Sequence, residues 1–229
     1  GLPGWARARA LLEAVFAERA PGARIEVGRT RSVGAGLSRR QYAAHVELEP
    51  DPDGLSGLYA ISIPHDDHAE ASPAAGRREA AVLQHLSSCA LSFQIPRVVA
   101  VRQLIDGVAM VRTFAHGIEL DLRAGRQGRT LPWHIVAEIA ASIHSVELTP
   151  TLRAELGGPA TCDEFAREQL RTIPRSDHPL VLRAAAWCRA HLPTGRPTTL
   201  IHGDLLGQNI LLDQGEPPTV IDWEYASIG

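Results

Sequence analysis

The chain has 229 residues, a net charge of −3 and no lysine, all 23 of its basic residues being arginine. That length allows one large domain or two small lobes sharing a cleft, and so weak a charge excludes the electrostatic pull of a nucleic-acid or anionic-membrane binder. No apolar run approaches the roughly 18 residues that span a bilayer, and Cys89, Cys162 and Cys188 lie far apart without a C-x-x-C, so a reducing cytoplasm is expected rather than a disulfide framework or zinc knuckle.

Residues 4–20 carry Trp5, Ala8, Leu11, Leu12, Val15 and Phe16 at helical spacing and stop at Pro-Gly. Strand-like material follows: "RIEVGRT", then "SVGAGLSRRQYAAHVEL", in which Tyr42, Ala44, Val46 and Leu48 alternate with Ala43, His45 and Glu47. The turn "PDPDGLSG" leads to a strand over residues 58–64. Residues 74–88 read as a helix with Ala80, Leu83 and Leu86 inward, and "PRVVAVRQLI" and "GVAMVRTF" as an antiparallel pair joined at Asp106-Gly107. Beyond residue 113 the character changes. Residues 131–148, "CDEFAREQLRTI" and "HPLVLRAAAWCRAHL" read as helices, and "TTLIHGD", "NILLD" and "TVIDWE" as short strands. A β-rich half before an α-rich half predicts two lobes, 1–114 and 115–229, linked near residues 112–120.

The chemistry concentrates in "IHGDLLGQNILL", residues 201–212. Asp204 falls just past one strand and Asn209 starts the next. The turn at Gly215 and Pro217-Pro218 returns the chain, so that Asp222, ending a third strand, reaches the same edge as Asn209. Oxygen ligands such as Asn209 and Asp222 suit Mg²⁺, which keeps room for phosphate and water. Asp204 can accept a hydrogen bond from an attacking hydroxyl, and His202 can brace the loop through the backbone.

These two blocks, "HGDLLGQNILL" and "VIDWEYASIG", resemble the aminoglycoside phosphotransferase family, also called the phosphotransferase enzyme family. The resemblance implies an α+β, two-lobed, protein-kinase-like fold, with an N-terminal antiparallel sheet carrying one helix and a mainly helical C-terminal lobe. It implies ATP and Mg²⁺ as cofactors and a small-molecule hydroxyl acceptor such as an aminoglycoside, a macrolide or a metabolite, with no nucleic-acid or membrane partner. Asp204 and His202 become the catalytic pair and Asn209 and Asp222 the metal ligands, with Trp223-Glu224 extending the metal loop. Gly34, Gly36 and Ser38 fall where a glycine-rich loop covers nucleotide phosphates, although a plain hairpin turn reads the same way. Glu79 is either the helix acid that pairs with a strand base or a solvated residue on an amphipathic helix. The backbone around Arg112, Thr113 and Phe114 falls where the hinge meets adenine, and Met110 at the back of the pocket or in plain core. His144 is expected to be structural. "HDDH", residues 65–68, is a loop run whose neighbours rarely converge on one ion.

Two features depart from the family pattern. Ala60 and Ser62 share the face expected to roof the nucleotide, but Ser62 stands where a Lys or Arg belongs, and the chain has no lysine to replace it. Losing that charge-assisted contact costs on the order of 2–3 kcal/mol in phosphate positioning, unless Arg39, Arg40 or Arg78 substitutes. A nucleotide-binding pseudokinase or regulatory module is the alternative that Ser62 favours. The sequence also starts without Met and stops at "YASIG", and reads as a fragment truncated at its C-terminus.

Overall fold

The computed structural model describes residues 2–35, 39–64, 73–105, 107–123, 131–172, 178–192 and 195–229. Helix α1 (Gly4–Arg19) buries Gly4, Ala8, Leu12, Val15 and Phe16, a stripe at spacings of three and four. Trp5, expected inward, is 53% exposed. It lies one residue, about 100° of helix rotation, off that stripe.

The stripe packs on a six-stranded antiparallel sheet of β1 (Arg24–Val27), β2 (Arg31–Ala35), β3 (Arg39–Glu49), β4 (Gly57–Pro64), β5 (Val98–Leu104) and β6 (Gly107–Thr113). Spatial order is β1-β3-β4-β6-β5, with β2 pairing β3. Tyr42, Ala44, Val46 and Leu48 of β3 join Tyr59, Ile61 and Ile63 of β4 under α1. The alternate face carries Gln41, Ala43, Ala60, Ser62, Met110 and Arg112, because Gln41 stands opposite Ser62, Ala43 opposite Ala60, Ser62 opposite Met110 and Ala60 opposite Arg112. Helix α2 (Pro73–Leu86) covers this second face. As expected, it turns Ala80, Leu83 and Leu86 inward, where they meet Met110.

The cluster around α2 continues into the second half of the chain. There β7 (Ile118–Glu119), α3 (Leu131–His144), α4 (Pro150–Leu156), α5 (Cys162–Thr172), α6 (Pro179–Ala190), β8 (Leu200–Ile201), β9 (Ile210–Leu212), β10 (Thr219–Val220) and β11 (Ser227–Ile228) follow in order. Ile139 and Ile143 of α3, Leu152 and Leu156 of α4, and Leu200, Ile210 and Trp223 share one core with α2. Helix α4 was not foreseen, although Thr149 caps it by accepting from the Leu152 N–H at 3.2 Å and Pro150 opens it. Strands β7 and β11, two residues each, were also unforeseen. Among the described residues, no helix is long and apolar enough to cross a membrane.

Candidate active site

The loop from β8 to β9 is shaped by what its backbone meets. Gly203 has φ +83°, and a Cβ there would lie 2.3 Å from the Tyr225 carbonyl oxygen, so glycine is the residue this position accepts. His202, 3% exposed, spends both ring nitrogens on backbone. Nδ1 accepts from the Asp204 N–H at 3.2 Å, which leaves Nε2 as the donor to the Ile221 carbonyl at 3.0 Å. Burial pushes its pKa below the usual value, against the opposing pull of the Ile221 carbonyl and Asp204, so the ring is neutral near pH 7. It packs on the Trp223 indole at a centroid distance of 4.5 Å. The brace expected of His202 therefore joins the Asp204 loop to the segment bearing Asp222.

Asn209 closes a 3₁₀ turn, Gly207–Asn209, immediately before β9. Its amide nitrogen donates to the Asp204 carbonyl at 2.8 Å and to Asp204 Oδ2 at 3.0 Å. Both side-chain amide protons being so held, the Asn209 side-chain oxygen, Oδ1, is the end left to serve as a ligand. The β9/β10 hairpin, with Ile210 opposite Val220, returns the chain as expected, and the Ile221 N–H donates to the Asn209 main-chain carbonyl at 3.0 Å. Asp222 follows in the left-handed region at φ 64°, a conformation Asp tolerates better than most residues and one that clusters at functional sites.

Across the cleft the sheet supplies an ionic network. Glu79 of α2 is 2% exposed, which excludes the solvated reading. Its Oε2 accepts from Arg39 Nη2 and its Oε1 from Arg112 Nη1 at 3.1 Å. Arg39 Nη2 also reaches Glu224 Oε2 at 3.3 Å, and Arg112 Nη2 reaches Gln41 Oε1 at 3.3 Å. Burial opposes the Arg39 charge but Glu79 and Glu224 outweigh it, so the pKa stays above its already high ordinary value. Of the three arginines considered as substitutes for the strand base, Arg39 joins Glu79 and Arg78 is exposed. Ser62 is 1% exposed and its hydroxyl has no partner among the described residues.

A cavity of about 570 Å³ lies between these two regions. Val33, Arg39, Gln41, Ala60 and Arg112 form its sheet wall, Phe114 to Gly117 its back, and Asn209, Leu211, Ile221, Asp222 and Glu224 its floor. Thr113 instead turns to Arg97, donating its N–H to the Arg97 carbonyl and accepting the Arg97 N–H on its hydroxyl, both at 2.9 Å. Phe114, expected at the hinge, does line the cavity, and Ala115, His116 and Gly117 extend that wall beyond the expected span. Gly34 lies in β2 beside a register shift against β3. Gly36, Ser38 and residues 65–68 fall outside the described residues.

Asp222 is pushed up to about 6, first by burial and then by the like charges of Glu224 and Glu79, against the attraction of Arg112 and Arg39. A carboxylate so disfavoured, beside an amide oxygen held in register, is a donor set that a hard cation fits. Among the described residues no three His, Cys, Asp or Glu side chains converge on one point. A pair of oxygen donors leaves places for water and phosphate, as Mg²⁺ requires.

A curled antiparallel sheet and helix above a cleft floored by Asn209 and Asp222 fit the protein-kinase-like fold. Residues 34–229 match the phosphotransferase enzyme family, and the chain belongs to it. Among solved structures, a thermostable mutant of aminoglycoside phosphotransferase APH(4)-Ia in ternary complex with ADP and hygromycin B aligns with TM-score 0.64 and 17% identity, over 97% of this chain and 72% of that one. Macrolide 2'-phosphotransferase MphH from Brachybacterium faecium aligns with TM-score 0.63 and 19% identity, over 96% and 73%. At such identities these likenesses establish the fold. Acyl-CoA dehydrogenase family member 10 of Mus musculus is 31% identical over 100 residues, which are 40% of this chain and 9% of the mouse protein.

Proposed function

We propose that this chain transfers the γ-phosphoryl group of ATP to a hydroxyl of a small molecule. One observation carries the reading: Asn209 and Asp222 line the floor of the cavity, opposite the Arg39–Glu79–Arg112 network, and Asn209 is hydrogen-bonded to Asp204. The N-terminal lobe, 1–114, roofs the nucleotide, and the lobe at 115–229 brings the acceptor. The adenine lies along Phe114 to Gly117 beneath Ala60, and its phosphates run toward Arg39 and Asp222.

Asn209 and Asp222 would hold Mg²⁺, which when bound neutralises charge on the β- and γ-phosphates. Asp204 aligns the acceptor hydroxyl and takes its proton as the oxygen bonds to the γ-phosphorus. The bond to the β,γ-bridging oxygen breaks, and ADP leaves. His202 does not exchange protons with the substrate in this scheme. Neutral and committed to backbone at both nitrogens, it fixes Asp204 relative to Asp222. The acceptor belongs to the hydroxyl-rich antibiotics or amino-alcohol metabolites, and a drug acceptor would make the protein a resistance determinant. A cytoplasmic setting supplies both ATP and Mg²⁺.

The test is labelled ATP against a panel of aminoglycosides, macrolides and amino alcohols. The protein should label at least one acceptor, and Asp204→Asn should lower that rate by about 10²–10⁴-fold while the melting temperature holds. Unchanged turnover in Asp204→Asn would refute the mechanism. Nucleotide binding without transfer to any acceptor would favour the binding module that Ser62 suggests.

A further inference from the structure

Arg39 carries buried hydrogen-bonding capacity that the fold does not use. Its side chain is 6% exposed, and Nη2 alone serves both Glu79 and Glu224. Nε and Nη1 are buried without a partner among the described residues. Leaving such donors unpaired costs about 1–3 kcal/mol each, more for a charged group, and buried polar groups almost always find partners. The Ser62 hydroxyl is a third orphan on the same sheet face. Arg39 stands opposite Pro64, and its neighbour on that face, Gln41, opposite Ser62. Arg39 and Ser62 are therefore diagonal across β3 and β4, about 7–8 Å apart at the backbone, a gap an arginine side chain spans.

We infer that Arg39 is the phosphate-binding cation of this protein: the charge absent from position 62 on β4 is delivered from the neighbouring strand β3, with Nε and Nη1 donating to the α- and β-phosphate oxygens of the nucleotide. This rests on the phosphotransferase reading and adds a residue to it. A guanidinium suits the task where a lysine would not. Its planar fork offers donors in several directions at once, so that one edge stays on Glu79 and Glu224 while the others face the ligand. Arg112 holds the opposite carboxylate oxygen of Glu79 and keeps that acid from drawing Arg39 wholly to itself. Because Glu224 lies two residues beyond Asp222, the same guanidinium ties the sheet, α2 and the floor of the cavity together.

Adenosine and ADP, titrated calorimetrically in EDTA into the protein, Arg39→Gln and Arg39→Gln/Ser62→Lys, separate the possibilities. The protein should bind both ligands. Arg39→Gln should weaken ADP by about 10–100-fold, the loss of charge-assisted hydrogen bonds, and leave adenosine within about twofold. The double variant, with a cation returned to β4, should recover most of the ADP affinity. Unchanged ADP affinity in Arg39→Gln overturns the inference, and so does an equal loss for adenosine and ADP, which marks a collapsed pocket. If the protein binds neither ligand, the nucleotide reading itself falls and the inference with it. If Arg39→Gln shows no cooperative melt, Arg39→Lys replaces it. That variant keeps the charge but not the fork, and should lose several-fold in ADP alone; unchanged ADP affinity there is equally fatal.

Discussion

The two walls of the cavity are built in opposite ways. The floor comes from residues 202–224, close in sequence and held by short backbone bonds: His202 to Ile221, Asn209 to Asp204, and Ile221 to Asn209. The roof is assembled from Arg39 on β3, Glu79 on α2 and Arg112 on β6, with Glu224 reaching across from the floor. A local unit fixes geometry through the chain itself. A dispersed one depends on sheet register and on charge balance among buried groups, so removing one member leaves the others uncompensated.

Glu79 tests that difference most severely. Glu79→Ala removes the carboxylate that Arg39 and Arg112 share, leaving Arg39 with Glu224 and Arg112 with the neutral Gln41, and breaking a buried pair from one side costs about 3–5 kcal/mol. Urea denaturation should show that loss without a change of slope, and a loss below about 1 kcal/mol would mean that the network is not structural. The floor should respond to backbone change instead. In Gly203→Ala the new Cβ meets the Tyr225 carbonyl oxygen and the residue must keep a positive φ, at about 2–4 kcal/mol. A Gly203→Ala protein as stable as the parent would show that the loop is free to move aside.

Asp222 gives a pH signature. Its folded pKa of about 6 lies above the ordinary value of 3.8, so the folded state disfavours the ionised form. The penalty is absent below about pH 4, grows as pH rises, and is complete above about pH 6, reaching up to about 3 kcal/mol. Asp222→Asn should therefore stabilise the metal-free protein at pH 7.5 and lose that advantage at pH 4, as read by thermal melts at the two pH values. A gain independent of pH would place the effect elsewhere.

The floor was legible because its information is contiguous. The H-x-D-x-x-x-x-N spacing and the turn at Gly215 and Pro217-Pro218 carry it, and the hairpin returned Asp222 as read. The main strands were legible too: period-2 alternation marked β3, and the Asp106-Gly107 joint marked β5 and β6. What alternation does not specify is which residues face each other across strands. That Arg39 falls diagonal to Ser62 depends on β3/β4 register, so the sequence alone leaves Arg39 as one of three candidates. Phe114 is expected at the hinge, but Ala115 to Gly117 line the cavity because of where the chain leaves β6, which no residue pattern announces. Strands β7 and β11 are too short for any periodicity and exist through their partners β9 and β8. Helix α4 differs, since Thr149-Pro150 is a cap signal that could have been read.

The central claim is that floor and roof form one metal–nucleotide site. ADP titrated with and without Mg²⁺ into the protein and into Asp222→Asn tests it most directly. Mg²⁺ should tighten ADP binding to the protein by about tenfold or more and have no such effect on Asp222→Asn. Equal Mg²⁺ dependence in the two proteins, or none in the parent, would contradict it.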